Sequence, residues 1–88
     1  HTACGAVTAA TQGVELGNIT ALLSKITPVV DRLDEKVAVD EVAEHNVKHS
    51  IERIRIESAI LKEMELVGKI LIKGAMYYVA TGEVRFLD

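Results

Sequence analysis

His1-Thr2-Ala3-Cys4-Gly5-Ala6-Val7 opens the chain and holds its single cysteine, three residues after a histidine and directly before a glycine. Thiolate and imidazole are the donors that soft and borderline metals take, so His-x-x-Cys supplies one half of a zinc-type site. A structural zinc needs two further protein ligands, and a catalytic zinc needs one more plus water. No second half of this kind stands elsewhere in the chain. The stretch from Cys4 to Thr11 is small and helix-tolerant. A helix that begins just after Cys4 puts the thiol at the positive end of the helix, where thiolate is favoured. Gly5 lets the backbone pass close to a ligand or to another segment.

Gly13 and Gly17 then mark a connection. Asn18 reads as the N-cap of a second helix. Its apolar residues Ile19, Leu22, Leu23, Ile26, Val30 and Leu33 recur at three- and four-residue spacing, which predicts one buried stripe. Pro28 has no N–H and its ring crowds the preceding turn, so a kink or restart is expected there. Asp31 to Lys36 reads as a charged link. Asp40 reads as the cap of a long third helix through Val42, Ala43, Val47, Ile51 and Ile54. Ala43, Val47 and Ile54 share one face, and Val42 and Ile56 lie well round from it. A helix apolar on two sides has more than one partner, so a subunit interface is expected. Ser58 reads as a second N-cap, restarting the chain as a short helix, Ala59 to Val67, that ends at Gly68.

The pattern then changes. Lys69 to Val79 is β-branched and aromatic with apolar residues on both parities, which predicts a strand buried on both faces. Thr81-Gly82 turns it, and Glu83 to Leu87 alternates as an antiparallel edge strand. The fold class is therefore α/β, helical to about residue 67 and closed by a hairpin.

The whole composition narrows the classes. Its 88 residues suffice for one small domain. The net charge of −3 with interspersed signs argues against a nucleic-acid binder, which carries a basic stripe. Hydrophobic residues at 49% fit a packed chain, whereas aromatics at 3% leave no platform for bases or sugars. One cysteine makes no internal disulfide, so the redox compartment stays open. No apolar run is long enough to cross a bilayer, and no signal-peptide pattern opens the chain. A soluble chain, cytoplasmic or periplasmic, with no membrane partner is expected. The first residue is not Met, so the chain is expected to be processed, cut or incompletely represented.

His1-Thr2-Ala3-Cys4-Gly5-Ala6-Val7 resembles the second zinc motif of the β-class carbonic anhydrases, His-x-x-Cys-Gly between a buried strand and a helix. The likeness continues in order through Asn46-Val47, Ser58, Gly68-Lys69-Ile70, Gly74-Ala75-Met76-Tyr77-Tyr78 and Thr81-Gly82-Glu83-Val84. It covers essentially the whole chain. The resemblance implies that residues 1–88 are the C-terminal portion of a single carbonic anhydrase domain, cut from a mainly parallel sheet flanked by helices, with the N-terminal half absent. It implies zinc as cofactor, with His1 and Cys4 as the second and third protein ligands. The first ligand belongs to an upstream Cys-x-Asp-x-Arg motif, which also carries the Asp–Arg pair beside the open metal position. No such motif stands here, so no catalytic residue is expected within this span. The implied reaction is the reversible hydration of carbon dioxide to bicarbonate by a dimer or larger assembly, or by this chain with its missing N-terminal segment. The piece alone is expected to hold no stoichiometric zinc and to be inactive.

Other residues have plainer readings. His45 and His49 lie four apart on one helical face, a spacing that can chelate metal. Glu41, Lys48 and Glu52 around them mark a solvated face, so both read as surface histidines. Tyr77 and Tyr78 read as packing. Three functions remain in play at this point: a zinc lyase, a non-catalytic oligomerisation module carrying a relic half-site, and an unrelated metal-binding regulator that rests on His-x-x-Cys alone.

Overall fold

The computed structural model describes residues 1–13, 17–33 and 37–87. Among the described residues four α-helices precede a two-stranded antiparallel sheet: α1 Gly5–Gln12, α2 Thr20–Asp31, α3 Val39–Glu57, α4 Ala59–Leu66, β1 Gly74–Tyr78 and β2 Glu83–Leu87. No strand falls among the described residues before Gly74. Helix α1 packs on α2 and α3, α2 on α3, and α3 on both α4 and β1. The core gathers Val7 and Ala10 of α1, Leu23, Ile26 and Val29 of α2, Val42 and Ala43 of α3, Met76 of β1 and Leu87 of β2. Met76 and Val42 are its most enclosed large side chains.

The local chemistry explains most boundaries. Gly13 ends α1 in the left-handed region at φ 68°, and its N–H returns to the Ala9 and Ala10 carbonyls. Ser58 separates α3 from α4 and accepts from the Leu61 N–H at 3.2 Å, the cap expected of it. Gly68 takes φ 78°, and Lys69 N–H donates to the Met64 carbonyl at 2.9 Å, closing α4. In the hairpin, Thr81 and Gly82 both donate to the Tyr78 carbonyl, at 3.2 and 2.8 Å. Gly82 has φ 76°, and the register pairs Gly74 with Leu87 and Tyr78 with Glu83.

Several expectations change. Asn18 does not cap α2: Gly17–Ile19 form a 3-10 turn, and α2 follows without a side-chain cap. Tight i→i+3 bonding in such a turn engages donors that a capping oxygen would otherwise serve. Pro28 neither ends nor restarts α2, which runs on to Asp31. The ring sits on an exposed face in the last turn, so its missing N–H frees only the carbonyl of exposed Ser24. Val29 joins Leu23 and Ile26 in the core, while Val30 is half-buried and Leu22 faces an open cleft shared with Ile54. Asp40 does not cap α3 either. Ala38 holds that place with its carbonyl, accepting from Glu41 and Val42 at 3.0 and 3.1 Å. Residues 34–36 of the charged link lie outside the described residues.

The strand expected over Lys69–Val79 is five residues long, and one face of it is covered. Gly74 and Met76 are buried and Tyr78 half-buried, whereas Tyr77 is 48% exposed and its cross-strand neighbours Val84 and Phe86 more so. The ladder ends at the Gly74–Leu87 pair, so Lys69–Lys73 have no cross-strand partner among the described residues. Ile56, Ile60, Leu66, Val67 and Leu71 add further exposed apolar surface.

Two contacts fix how the layers meet, and each has a test. A Cβ at Gly74 would stand 2.6 Å from Val47 Cγ1 and 2.9 Å from Ile51 Cδ1. The Ile51 terminus can swing away, but a β-branched valine on a helix has one strongly preferred rotamer. Gly74→Ala should therefore cost about 1–3 kcal/mol in urea unfolding, and Val47→Ala in the same background should recover part of it. Arg55 grips Glu65 with two bonds, 2.8 and 2.9 Å, across the α3–α4 junction. These bonds hold the Glu65 carboxyl below its usual value against the opposing effect of partial burial. A carboxyl lowered in the folded state contributes stability above its ordinary value, lost as pH falls through the lowered one. Acidification below the ordinary glutamate value of about 4.3 should thus weaken the protein, and Glu65→Gln should flatten that decline in denaturation midpoints measured against pH.

Candidate metal centre

His1 and Cys4 flank a two-residue bend whose every residue is tied to a different element. Thr2 docks on β1: its N–H donates to the Tyr77 carbonyl at 3.0 Å, and its hydroxyl accepts from the Val79 N–H at 3.1 Å. Ala3 N–H donates to Oδ1 of Asp40, in the first turn of α3, at 2.9 Å. Cys4 stands at the N-cap of α1, where its carbonyl accepts from the Thr8 N–H at 3.0 Å and the Thr8 hydroxyl at 2.8 Å. The expected helix start just after the cysteine is realised, with the thiol half-buried.

The bend turns on Ala3. Its φ of 53° lies in the left-handed region, the only non-glycine residue there among those described. Alanine pays roughly 1–2 kcal/mol for that conformation, because its Cβ crowds the following carbonyl oxygen.

His1 is exposed, and its Nδ1 lies 2.7 Å from the Thr2 carbonyl oxygen. A carbonyl can only accept, so Nδ1 carries the hydrogen, and in the neutral ring Nε2 keeps its lone pair. This is the arrangement in which a backbone carbonyl sets the tautomer of a metal-ligating histidine. Imidazole nitrogen and cysteine sulfur are donors of the right kind for zinc. They are two where a closed site takes four, and no group of three or more His, Cys, Asp or Glu able to hold a metal occurs among the described residues. By itself the donor set does not fit a complete zinc site.

His45 and His49 line a shallow cleft between α2 and α3 with Val29, Arg32, Leu33, Lys48 and Glu52. His45 is exposed and His49 half-buried, with Nδ1 enclosed and unpartnered. The lining mixes both signs of charge, and among the described residues no third metal donor joins the two rings. Tyr78 is bonded by Arg85 Nε at 2.9 Å, and Arg85 also bridges to Glu44, so this tyrosine helps tie the hairpin to α3. Sequence reading missed Asp40 and Thr2 as parts of the loop. An acidic residue at a helix start carries the same local signal whether it caps its own helix or reaches a distant N–H.

The family model described as carbonic anhydrase matches residues 1–84. No curated protein and no solved structure matches the chain.

The conformation of Ala3 can be tested directly. Glycine takes φ near 53° without the Cβ clash, whereas valine adds a second branch to it. Ala3→Gly should raise stability by up to about 1 kcal/mol and Ala3→Val should lower it by about 1–2 kcal/mol, read from thermal and urea unfolding.

Proposed function

Since the chain belongs to the β-class carbonic anhydrase family, we propose that it serves the reversible hydration of carbon dioxide to bicarbonate, as the C-terminal portion of one catalytic domain. His1 and Cys4 are two of its three protein zinc ligands. The third ligand comes from a cysteine in an upstream Cys-x-Asp-x-Arg segment, which also brings the Asp–Arg pair. The observation that carries this reading is the loop itself: a tautomer-fixed imidazole and the thiol of the residue at the N-cap of α1, three residues apart, at the start of a span the family matches to residue 84.

Zinc, when bound, lowers the pKa of water to about 7, so hydration proceeds at neutral pH. The residues of this chain do the holding. His1 offers Nε2 because Thr2 engages Nδ1, Cys4 offers sulfur at the α1 terminus, and the hairpin edge clamps Thr2. None of them transfers a proton. Residues 1–88 alone therefore hydrate no carbon dioxide.

The larger sheet is part of the same reading. Thr2 bonds to the residues on either side of Tyr78, Tyr77 through its N–H and Val79 through its hydroxyl. One residue bonding to both neighbours of its partner is the parallel ladder pattern, here with a hydroxyl in place of the carbonyl. This supports a strand leading into His1 that runs parallel to β1 in a mainly parallel sheet. Exposed Ile56, Ile60, Leu66, Val67 and Phe86 support a dimer or larger assembly, or burial by the upstream segment.

Metal analysis and stopped-flow carbon dioxide hydration test the proposal. Residues 1–88 should contain substoichiometric zinc and no activity, and both should appear once a segment bearing Cys-x-Asp-x-Arg is supplied. In that complete protein Cys4→Ser should remove zinc and activity together, because a hydroxyl stays protonated where a thiol ionises. Full zinc occupancy in residues 1–88, with His1, Cys4 and water as the only ligands, would overturn the division of the site between two segments.

A further inference from the structure

Between the two proposed ligands, Thr2 is held by β1 and Cys4 by α1. Ala3 joins them in a strained conformation, and the group that holds its N–H is a carboxylate 37 residues further on. Three features make that contact more than a surface bond. Asp40 sits in the first turn of α3, where the free N–H groups of the helix favour negative charge. A bond from a backbone N–H to a carboxylate is stronger than one between neutral groups. A rigid 19-residue helix holds a group more closely than a loop does.

We propose that Asp40 is the positioning residue of the His1–Cys4 loop: by holding the Ala3 N–H it keeps Ala3 left-handed and so sets the separation and orientation of imidazole and thiol. The inference rests on reading His1 and Cys4 as zinc ligands. Asp40 touches neither the metal nor the reacting carbon. It acts through the backbone between the two donors, as a support to ligands whose loss ordinarily weakens metal binding rather than abolishing it.

The experiment measures zinc affinity of the full-length protein by chelator competition, together with hydrogen exchange of the Ala3 amide in the metal-free state. Asp40→Ala should weaken zinc binding by about 10–100-fold and speed Ala3 exchange. Asp40→Asn keeps an acceptor oxygen and should retain most of the affinity. Adding Ala3→Gly to Asp40→Ala should restore part of it, since glycine adopts the bend unaided. Wild-type zinc affinity in a folded Asp40→Ala protein would overturn the proposal, as would an equal loss in Asp40→Asn. If Asp40→Ala does not fold, Asp40→Asn against Asp40→Glu decides: the asparagine should bind better, because glutamate displaces the acceptor by a methylene, and the reverse order overturns the proposal. Undiminished zinc affinity in Cys4→Ser would instead show that the ligand reading has failed, while the Ala3 exchange rates still report on Asp40.

Discussion

Gly74 brings the bare backbone of β1 against Val47 and Ile51 of α3, with no room there even for a methyl group. That approach sets where the hairpin lies on the helices. It seals Met76 in the core that also holds Val42, and it leaves the far end of β1 and the start of α3 both within reach of residues 2–3. The N-terminal loop uses that junction. Tyr77 and Val79 at the end of the strand hold Thr2, and Asp40 at the start of the helix holds Ala3. A shift of the hairpin along α3 would pull these two anchors apart. The geometry of His1 and Cys4 thus depends on a contact between residues that carry no chemistry of their own.

The elements were legible in the sequence wherever their signal is local. Ser58 caps because its oxygen reaches an N–H three residues on, and Thr81-Gly82 turns because glycine takes positive φ. The apolar spacing in α2 and α3 follows the helix period, whatever surrounds it. Elsewhere the outcome depends on neighbours that the local pattern does not contain. Lys69–Val79 is apolar on both parities, yet the described chain covers one face of the strand. Pro28 was legible as a breaker, but its effect depends on which face it occupies and how little helix follows it. The donor types of the loop could be read at sight. The tautomer of His1, the bend at Ala3 and the part played by Asp40 could not, because they arise from folding.

Charge and apolar surface divide the remaining work. Two of the ion pairs lie at junctions, Arg55 with Glu65 where α3 meets α4 and Arg85 with Glu44 where the hairpin meets α3, and a third, Arg53 with Glu57, lies within α3. Partly exposed pairs of this kind add little to stability and serve chiefly to fix angles between elements. Burial supplies most of the cohesion, and the enclosed set is small: two residues of α1, three of α2, two of α3 and one from each strand. The outer face of the hairpin and the exposed side of α4 keep apolar residues in water, more than so small a core would call for.

The bond between Thr2 and Val79 spans 77 positions of the chain. During synthesis residues 1–4 emerge long before their anchors exist. Asp40 arrives partway, and the edge of β1 is the last anchor to leave the ribosome. Until then His1 and Cys4 ride on an open segment with no fixed spacing, and the closure of a loop this long is slow and waits on the non-local contacts that reward it. The bend between His1 and Cys4 is therefore a late product of folding. Its imidazole and thiol gain a fixed spacing only once the hairpin has docked and Thr2 is held at both Tyr77 and Val79.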